Sequence, residues 1–458
     1  MSKEVNGGLL DVDPYRLRDE DVLEPPQRWR QSFKYLGPGM ILAAAVVGSG
    51  EVIAVPILGA KVGMAGLGLI LLSCIVKLIF LEELARYAVV TGKSPLEAFS
   101  DLPGPRIFNI HLVGWLWMMY IFSVILQQGG ILGTAGTVIM NFVPALDERF
   151  WAAVLVVVSC IAYLKARYDT IQNVATFLVV VFSLTAVIAS VLLMFTPYRV
   201  TLADLAQGFS FAIPRESWQV AFGAFGITGL ASAEIVSYHY WCLEKGYARN
   251  VGPRHDTPEW KKRAKGWISV LHKDIIVTAT VFTFVTAAFY VLGAKVLHTL
   301  GILPSGLEVL KSISAVFTEI YGGWSFYLFM IGAFFAMYST FYANAAAYAR
   351  FLLDFFLRLG SIKVTSGKQR TKWSNGFTIL LLVVFALGYF AIRTPVALVF
   401  LGGITGTLMI PVIAWASVYL GRKIDKGIAL SAPAVCFMYI CAVIVTIIGA
   451  VTLYDLIA

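Results

Sequence analysis

The feature that most limits what this chain can become is its series of separate apolar windows. Each is roughly 18 or more residues long, the length at which a helix crosses the hydrocarbon core of a bilayer. With 59% of its 458 residues hydrophobic and 14% charged, a soluble fold would have too little polar surface to cover itself. The apolar excess must therefore face lipid. The ten-residue alternation that a transmembrane barrel requires is absent. The expected fold class is an all-α polytopic membrane protein.

Eleven spans are predicted, at about Gly37–Gly59, Gly66–Val90, Phe108–Met140, Phe150–Leu164, Ile171–Phe195, Trp218–Leu243, Ile275–Leu297, Trp324–Phe356, Phe377–Ile392, Pro395–Leu420 and Gly427–Leu456. A shorter amphipathic stretch, Leu307–Tyr321, is placed at the interface before the eighth. With the N-terminus in the cytoplasm, seven cationic side chains fall outside (Lys61, Arg149, Arg199, Arg215, Lys295, Lys311 and Arg393) and Lys77 lies within the second span. The other 28 of the 36 Lys and Arg are on the inner side. This positive-inside pattern predicts a cytoplasmic N-terminus and an outside C-terminus. The net charge of +9 then reports topology and contact with the lipid bilayer, not nucleic acid. The polar N-terminus carries no signal-peptide pattern, so the first span is expected to direct insertion, and a bacterial inner membrane is the default location. The five cysteines form no metal-type cluster and read as small buried hydrophobes.

Two spans share an internal echo. The first contains Val46-Val47-Gly48-Ser49-Gly50-Glu51-Val52-Ile53, and the sixth contains Gly229-Leu230-Ala231-Ser232-Ala233-Glu234-Ile235-Val236. Both place Ser-small-Glu, followed by two β-branched residues, inside an apolar window. Five spans separate the copies, and an odd number per repeat inverts the second relative to the first, as in inverted-repeat transporters. The division that follows is a cytoplasmic segment 1–36, a first repeat 37–200, a second repeat 201–421, and an eleventh helix with the C-terminus, 422–458. Such folds break the first helix of each repeat at mid-membrane. Gly48 and Gly50, with Pro56 downstream, favour a break in the first span, and Gly226, Gly229, Ala231, Ser232 and Ala233 favour one in the sixth.

An acidic residue at mid-span costs about 2.5–3.5 kcal/mol on insertion scales, so Glu51 and Glu234 need a reason to be there. One reason is structural: a carboxylate satisfied by a backbone amide or by a lysine such as Lys77. The other is a shared cation site, because two carboxylates converging in a low-dielectric pocket repel unless a cation or proton lies between them. Matched positions beside two predicted breaks favour the shared site.

Several segments together resemble the Nramp family of divalent metal transporters. They are Gly37-Pro38-Gly39, Gly48 to Glu51 and Gly59-Ala60 in the first span, Val89-Val90-Thr91-Gly92-Lys93 after the second, and Gly133-Thr134-Ala135 in the third. Gly226-Ile227-Thr228-Gly229 in the sixth and Asp274 near the seventh complete the match. The resemblance implies the LeuT-type fold of two five-helix inverted repeats, with broken first and sixth helices, plus an eleventh helix. It also exposes departures. Where the family carries Asp-Pro-Gly-Asn this chain has Gly48-Ser49-Gly50-Glu51, and where it carries Met-Pro-His this chain has Ala233-Glu234-Ile235. The acidic pair that the family associates with proton passage aligns with Gln127 and Gly130.

Losing the methionine thioether removes the soft ligand that favours late transition metals. Glu51 and Glu234, with the hydroxyls of Ser49, Ser232 and Ser237, would form a hard, oxygen-only set, and Gly48, Gly50 and Ala233 would leave room around it. Mg²⁺ keeps several waters while touching one or two carboxylates. A partly hydrated Mg²⁺ or Mn²⁺ is therefore the expected cargo, a small cationic substrate rather than a resident cofactor, as in the magnesium-transporting branch that the chain resembles. The alternative cargo is a protonated amine or guanidinium, held by the same carboxylates with aromatic help from Tyr238, Tyr240 and Trp241.

Gln127, Gln128, Gly130, Tyr238, His239, Ser339, Thr340 and Asn344 are candidates for the pathway. His239 follows Glu234 by five residues, off the same helical face, and equally suits a satisfied core position. Glu82, Glu83 and Arg86 are expected to close the cytoplasmic end, and Lys77 to snorkel or pair rather than touch substrate. The scattered histidines and the absence of a Walker-type loop argue against an enzyme. The expected machine is a monomer in which spans one, two, six and seven rock against three, four, eight and nine, with weak or no proton coupling.

Overall fold

Caps, glycines and one lysine decide where the apolar windows start, stop and break. The computed structural model describes residues 13, 15–39, 42, 46–164, 168–255 and 257–457. Among the described residues nine helical stretches are long and apolar enough to cross a membrane. Gly50–Thr91 holds the end of the first predicted span and the whole of the second, and Glu148–Leu164, at 17 residues, is the fourth. The eleven predicted spans all have helical counterparts, and the chain is an integral membrane protein.

Some boundaries differ because a cap outweighs hydropathy. The seventh helix begins at Pro258 rather than Ile275, since the Thr257 hydroxyl accepts from the Trp260 amide and Trp260, Ala264 and Trp267 bury one face. The basic run from Lys261 to Lys265 therefore lies on a helix rather than in a loop. The third helix begins at Leu112 instead of Phe108, because Phe108 and Asn109 turn a small hairpin with φ of 48° and 63°. Of the cysteines, Cys74, Cys242 and Cys441 are buried as expected, whereas Cys160 is only partly covered and Cys436 is exposed.

The breaks are the important local structure. The sixth span consists of two helices, Trp218–Ile227 and Ser232–Glu244, joined by a linker in which Gly229 takes φ of 70°. That left-handed conformation is open to glycine at no steric cost. In the first span the chain turns at Val47 and Gly48, then runs through a wide π-type turn, Gly50–Ala54, into the helix Val55–Val62. Residues 40, 41 and 43–45 of that span lie outside the described residues. The second span also bends: Leu67–Val76 and Leu78–Thr91 meet at Lys77.

Packing sorts the spans into two sets. The first packs on the seventh, and the second on the sixth and seventh, while the third packs on the fourth, eighth and ninth. The tenth, Pro395–Gly421, lies against the third and the N-terminal half of the sixth. Small residues allow the close crossings typical of membrane helices. A Cβ on Gly226 would lie 1.8 Å from the Gly403 carbonyl oxygen, and one on Gly59 would lie 2.7 Å from the Ala294 amide nitrogen. These crossings bring both breaks together beside the third and eighth spans.

Candidate cation site

Between the two breaks and the third and eighth spans remains a cavity of about 20 Å³, room for about one water or one bare ion. Its polar wall comes from Ser49, Gln127, Gln128, Glu234, Thr340 and Asn344, with backbone at Gly50, Gly229 and Ala231. Val46, Ile131 and Ile227 supply the apolar wall. Among the described residues no sulfur side chain lines it.

Glu234 enters this wall because the sixth span restarts at Ser232, which puts Glu234 in the first turn of the new helix. Its carboxylate meets the amides of Ala231 and Glu234 and the Asn344 side chain. An acid at a helix N-terminus is favoured by the free N–H groups and the helix dipole. The residue is 8% exposed, and its buried Oε2 has no hydrogen-bond partner among the described residues. A buried carboxylate oxygen left without a partner is costly, and here it belongs to a residue of the cavity wall.

Glu51 behaves differently. It is fully buried, and its Oε1 accepts from the Gly229 amide (2.9 Å) and the Thr286 hydroxyl (3.0 Å). Glu51 therefore clips the first span to the break of the sixth and to the seventh. It does not line the cavity, although its Oε2 also lacks a partner. The expectation that both carboxylates face one pocket is corrected to this extent: Glu234 is in the wall, and Glu51 lies behind it, holding the linker that shapes it.

Of the other expected residues, Ser49, Gly50, Gln127 and Asn344 line the cavity, and Gln128 and Thr340 join them. The remainder lie elsewhere. The Ser232 hydroxyl donates to the Gly406 carbonyl (2.9 Å), tying the sixth span to the tenth, while Ala233 and Ser237 are buried outside the lining. Gly48 makes no extra room, because a Cβ there would meet the Thr340 Oγ1 at 2.2 Å. Gly130 faces the Pro395 carbonyl as a helix crossing. Tyr238 donates to Asp274 (2.9 Å), His239 Nε2 lies 2.8 Å from the Lys93 carbonyl oxygen, and the Ser339 hydroxyl returns to the Ala336 carbonyl. These three make their contacts away from the cavity lining, although His239 Nδ1 has no partner among the described residues. At one end of the second span, Glu83 and Arg86 pair at 3.6 Å and Arg86 also donates to the Ile428 carbonyl, while Glu82 meets His272.

Lys77 takes the second of its two expected places, held by partners and outside the cavity lining. It does not snorkel: it is fully buried, and its ammonium donates to the Phe225 carbonyl and to the Thr228 carbonyl (3.0 Å). Thr286 beside Glu51 and the carbonyl partners of Lys77 are the parts of the site that sequence reasoning missed. The signal for Lys77 was present, since Ser73 and Lys77 form a polar pair four residues apart in an otherwise apolar span. Thr286 carried none. Among the described residues no group of three His, Cys, Asp or Glu side chains is poised to hold a metal ion. Any cation here must draw on neutral oxygens as well.

Two half-helices breaking at mid-span beside a buried acid, in a bundle packed on a second helical set, define a LeuT-type transporter fold. Solved structures agree. A manganese transporter from Eremococcus coleocola superposes with a TM-score of 0.62 at 12% identity, covering 95% of this chain and 90% of that one. Mhp1, a nucleobase-cation-symport-1 family transporter, gives 0.53 at 14% identity, covering 94% of each chain. MhsT, in complex with L-phenylalanine, gives 0.51 at 12% identity, covering 94% of this chain and 99% of its own. The model of the family described as natural resistance-associated macrophage protein-like, Nramp, matches residues 39–455, and the chain belongs to that family. Among curated proteins no relative is detectable by sequence.

Proposed function

We propose that this protein carries a divalent metal of the Mg²⁺ or Mn²⁺ type across the membrane by alternating access, with weak or no proton coupling. The observation that carries this reading is Glu234, an acid of the cavity wall with one buried oxygen that has no partner among the described residues. Around it, among the described residues, stand hydroxyl and amide groups and no thiol or thioether. Such a set suits hard cations that prefer oxygen. Membership of the Nramp family and the fold shared with a manganese transporter support a metal as cargo.

The cavity's volume favours a metal over an amine or guanidinium. About 20 Å³ accepts one bare ion, whereas an organic cation of several heavy atoms needs more. An ion that keeps part of its water shell, like an organic cation, would need the wider cavity of an opened bundle, so the volume favours a metal only in the closed state. Gln127 and Gln128 stand in the wall as neutral side chains that do not exchange protons, which supports weak proton coupling. The lysine and arginine distribution supports a cytoplasmic N-terminus.

The test is Mn²⁺ and Mg²⁺ uptake into proteoliposomes by the wild type and Glu234→Gln. Saturable influx that collapses in the variant is expected. No influx of either metal by folded wild-type protein would overturn the metal reading and move the search to amines and guanidinium compounds.

A further inference from the structure

The C-terminal end of a helix presents carbonyls with no partner of their own and a partial negative charge. In transporters with broken helices, such ends and the unwound carbonyls beside them hold the coupling ion. In this chain that place is filled by the protein itself. The Lys77 ammonium donates to the Phe225 and Thr228 carbonyls at the end of Trp218–Ile227, and lies 4.8 Å from the centre of the Phe225 ring. Ser73, one turn earlier on the same span, donates to the same two carbonyls at 2.9 and 3.1 Å. Lys77 sits where its own span bends, between Leu67–Val76 and Leu78–Thr91. The titratable groups that act on it are Cys74 on its own span, Glu51 on the first and Glu234 on the sixth.

We propose that Lys77 is a tethered cation occupying, at the break of the sixth span, the place of a coupling ion. No dissolved monovalent ion is then needed there. Because the ammonium is attached to the second span while its ligands belong to the sixth, it locks those two spans together as one moving body. Removing it would leave two carbonyls in a low-dielectric setting with only neutral donors, the Ser73 hydroxyl and, at Thr228, the Leu230 amide, so that they recruit a small cation or the break loosens.

The experiment compares wild type with Lys77→Met, of similar length and no charge, and with Lys77→Gln. Thermal unfolding of each purified protein is measured in sodium, ammonium and choline salts at equal ionic strength. Wild type is expected to respond equally to all three. Both variants are expected to unfold at a higher temperature in sodium or ammonium than in choline, by roughly 3 °C or more. Initial rates of Mn²⁺ uptake by Lys77→Met should likewise rise roughly tenfold when sodium or ammonium replaces choline, with the wild type unchanged.

Variants whose unfolding does not distinguish the three cations overturn the proposal. So does Lys77→Met uptake at the wild-type rate in choline, or folded Lys77→Met that no small cation rescues. The unfolding comparison does not depend on what the transporter carries. Wild-type protein that moves neither metal therefore defeats the cargo assignment alone, and the cation response of the variants still decides the role of Lys77.

Discussion

The two Ser-small-Glu copies are close to twins in sequence and differ in what surrounds them. Glu51 gives one oxygen to the Gly229 amide and the Thr286 hydroxyl, so its charge is spent on holding three spans together. Glu234 meets the amides of its own helix start and Asn344, and stands in the cavity wall. The difference comes from the breaks. The sixth span opens fully, with an extended linker and a fresh N-terminus, whereas the first span bends through a π-type turn and continues. The repeated motif has thus placed one acid in a cavity wall and the other in a clip between spans, and a motif repeated in sequence is no guarantee of surroundings repeated in space.

Substitutions at the two acids give the sharpest contrast. Glu234→Gln is expected to weaken Mn²⁺ binding roughly 100-fold, about 2.8 kcal/mol, with little change in the unfolding midpoint. Titration calorimetry together with thermal unfolding reads both. Glu51→Gln is expected to show the reverse emphasis: loss of a charge-assisted bond at the linker costs about 1.5–3 kcal/mol of stability, with a smaller direct effect on metal affinity. Equal affinity loss in both variants, without destabilisation of Glu51→Gln, would break the comparison and restore a symmetric two-carboxylate site.

Gly229→Ala tests the linker that Glu51 holds. The residue has φ of 70°, and an added Cβ would meet the Cys74 sulfur at 3.0 Å. A cost of about 1–2 kcal/mol is expected from unfolding curves, with weaker Mn²⁺ binding as Glu234 and Ala231 shift. No loss of either would show that the break tolerates ordinary backbone.

The smallest effect is expected at an acid outside the membrane. Asp101 accepts from Lys93 and Tyr87, both at 2.5 Å. Burial pushes its carboxyl upward, but the Lys93 and Tyr87 hydrogen bonds outweigh this and hold it below the usual carboxylate range. A lowered pKa means that its stabilising effect is present at neutral pH and lost as the pH falls through that range. Asp101→Asn should cost less than about 1 kcal/mol at pH 7, and the gap from wild type should close as the solution is acidified. A cost as large as that of Glu51→Gln would mean that partly covered acids outside the membrane matter here as much as fully buried ones.

The number of spans, the positions of both breaks and the two acids worth testing were all legible in the chain. Apolar length, glycine placement and the insertion cost of a buried carboxylate are local properties, which need only a few neighbouring residues to be read. Gln127, Ser49 and Asn344 were reachable by the same logic, since uncharged polar residues in apolar spans have few reasons to be there. Gly48 was misread as room for substrate because a missing side chain looks the same whether the space is empty or, as here, filled by Thr340. His239 and Tyr238 were drawn toward the pathway by being polar, and their partners Lys93 and Asp274 were invisible without the fold.

The sequence by itself determined that this is a helical membrane protein built as two related halves, because hydropathy, charge bias and internal repetition are written along the chain. Only the tertiary structure decided which glutamate lines the cavity, that Thr286 and Gly229 hold the other, and that Lys77 fills the carbonyl end of a broken helix. Each of those outcomes depends on which backbone groups from distant spans arrive at one depth. Helix crossing and backbone geometry set that arrival, and no residue carries it alone.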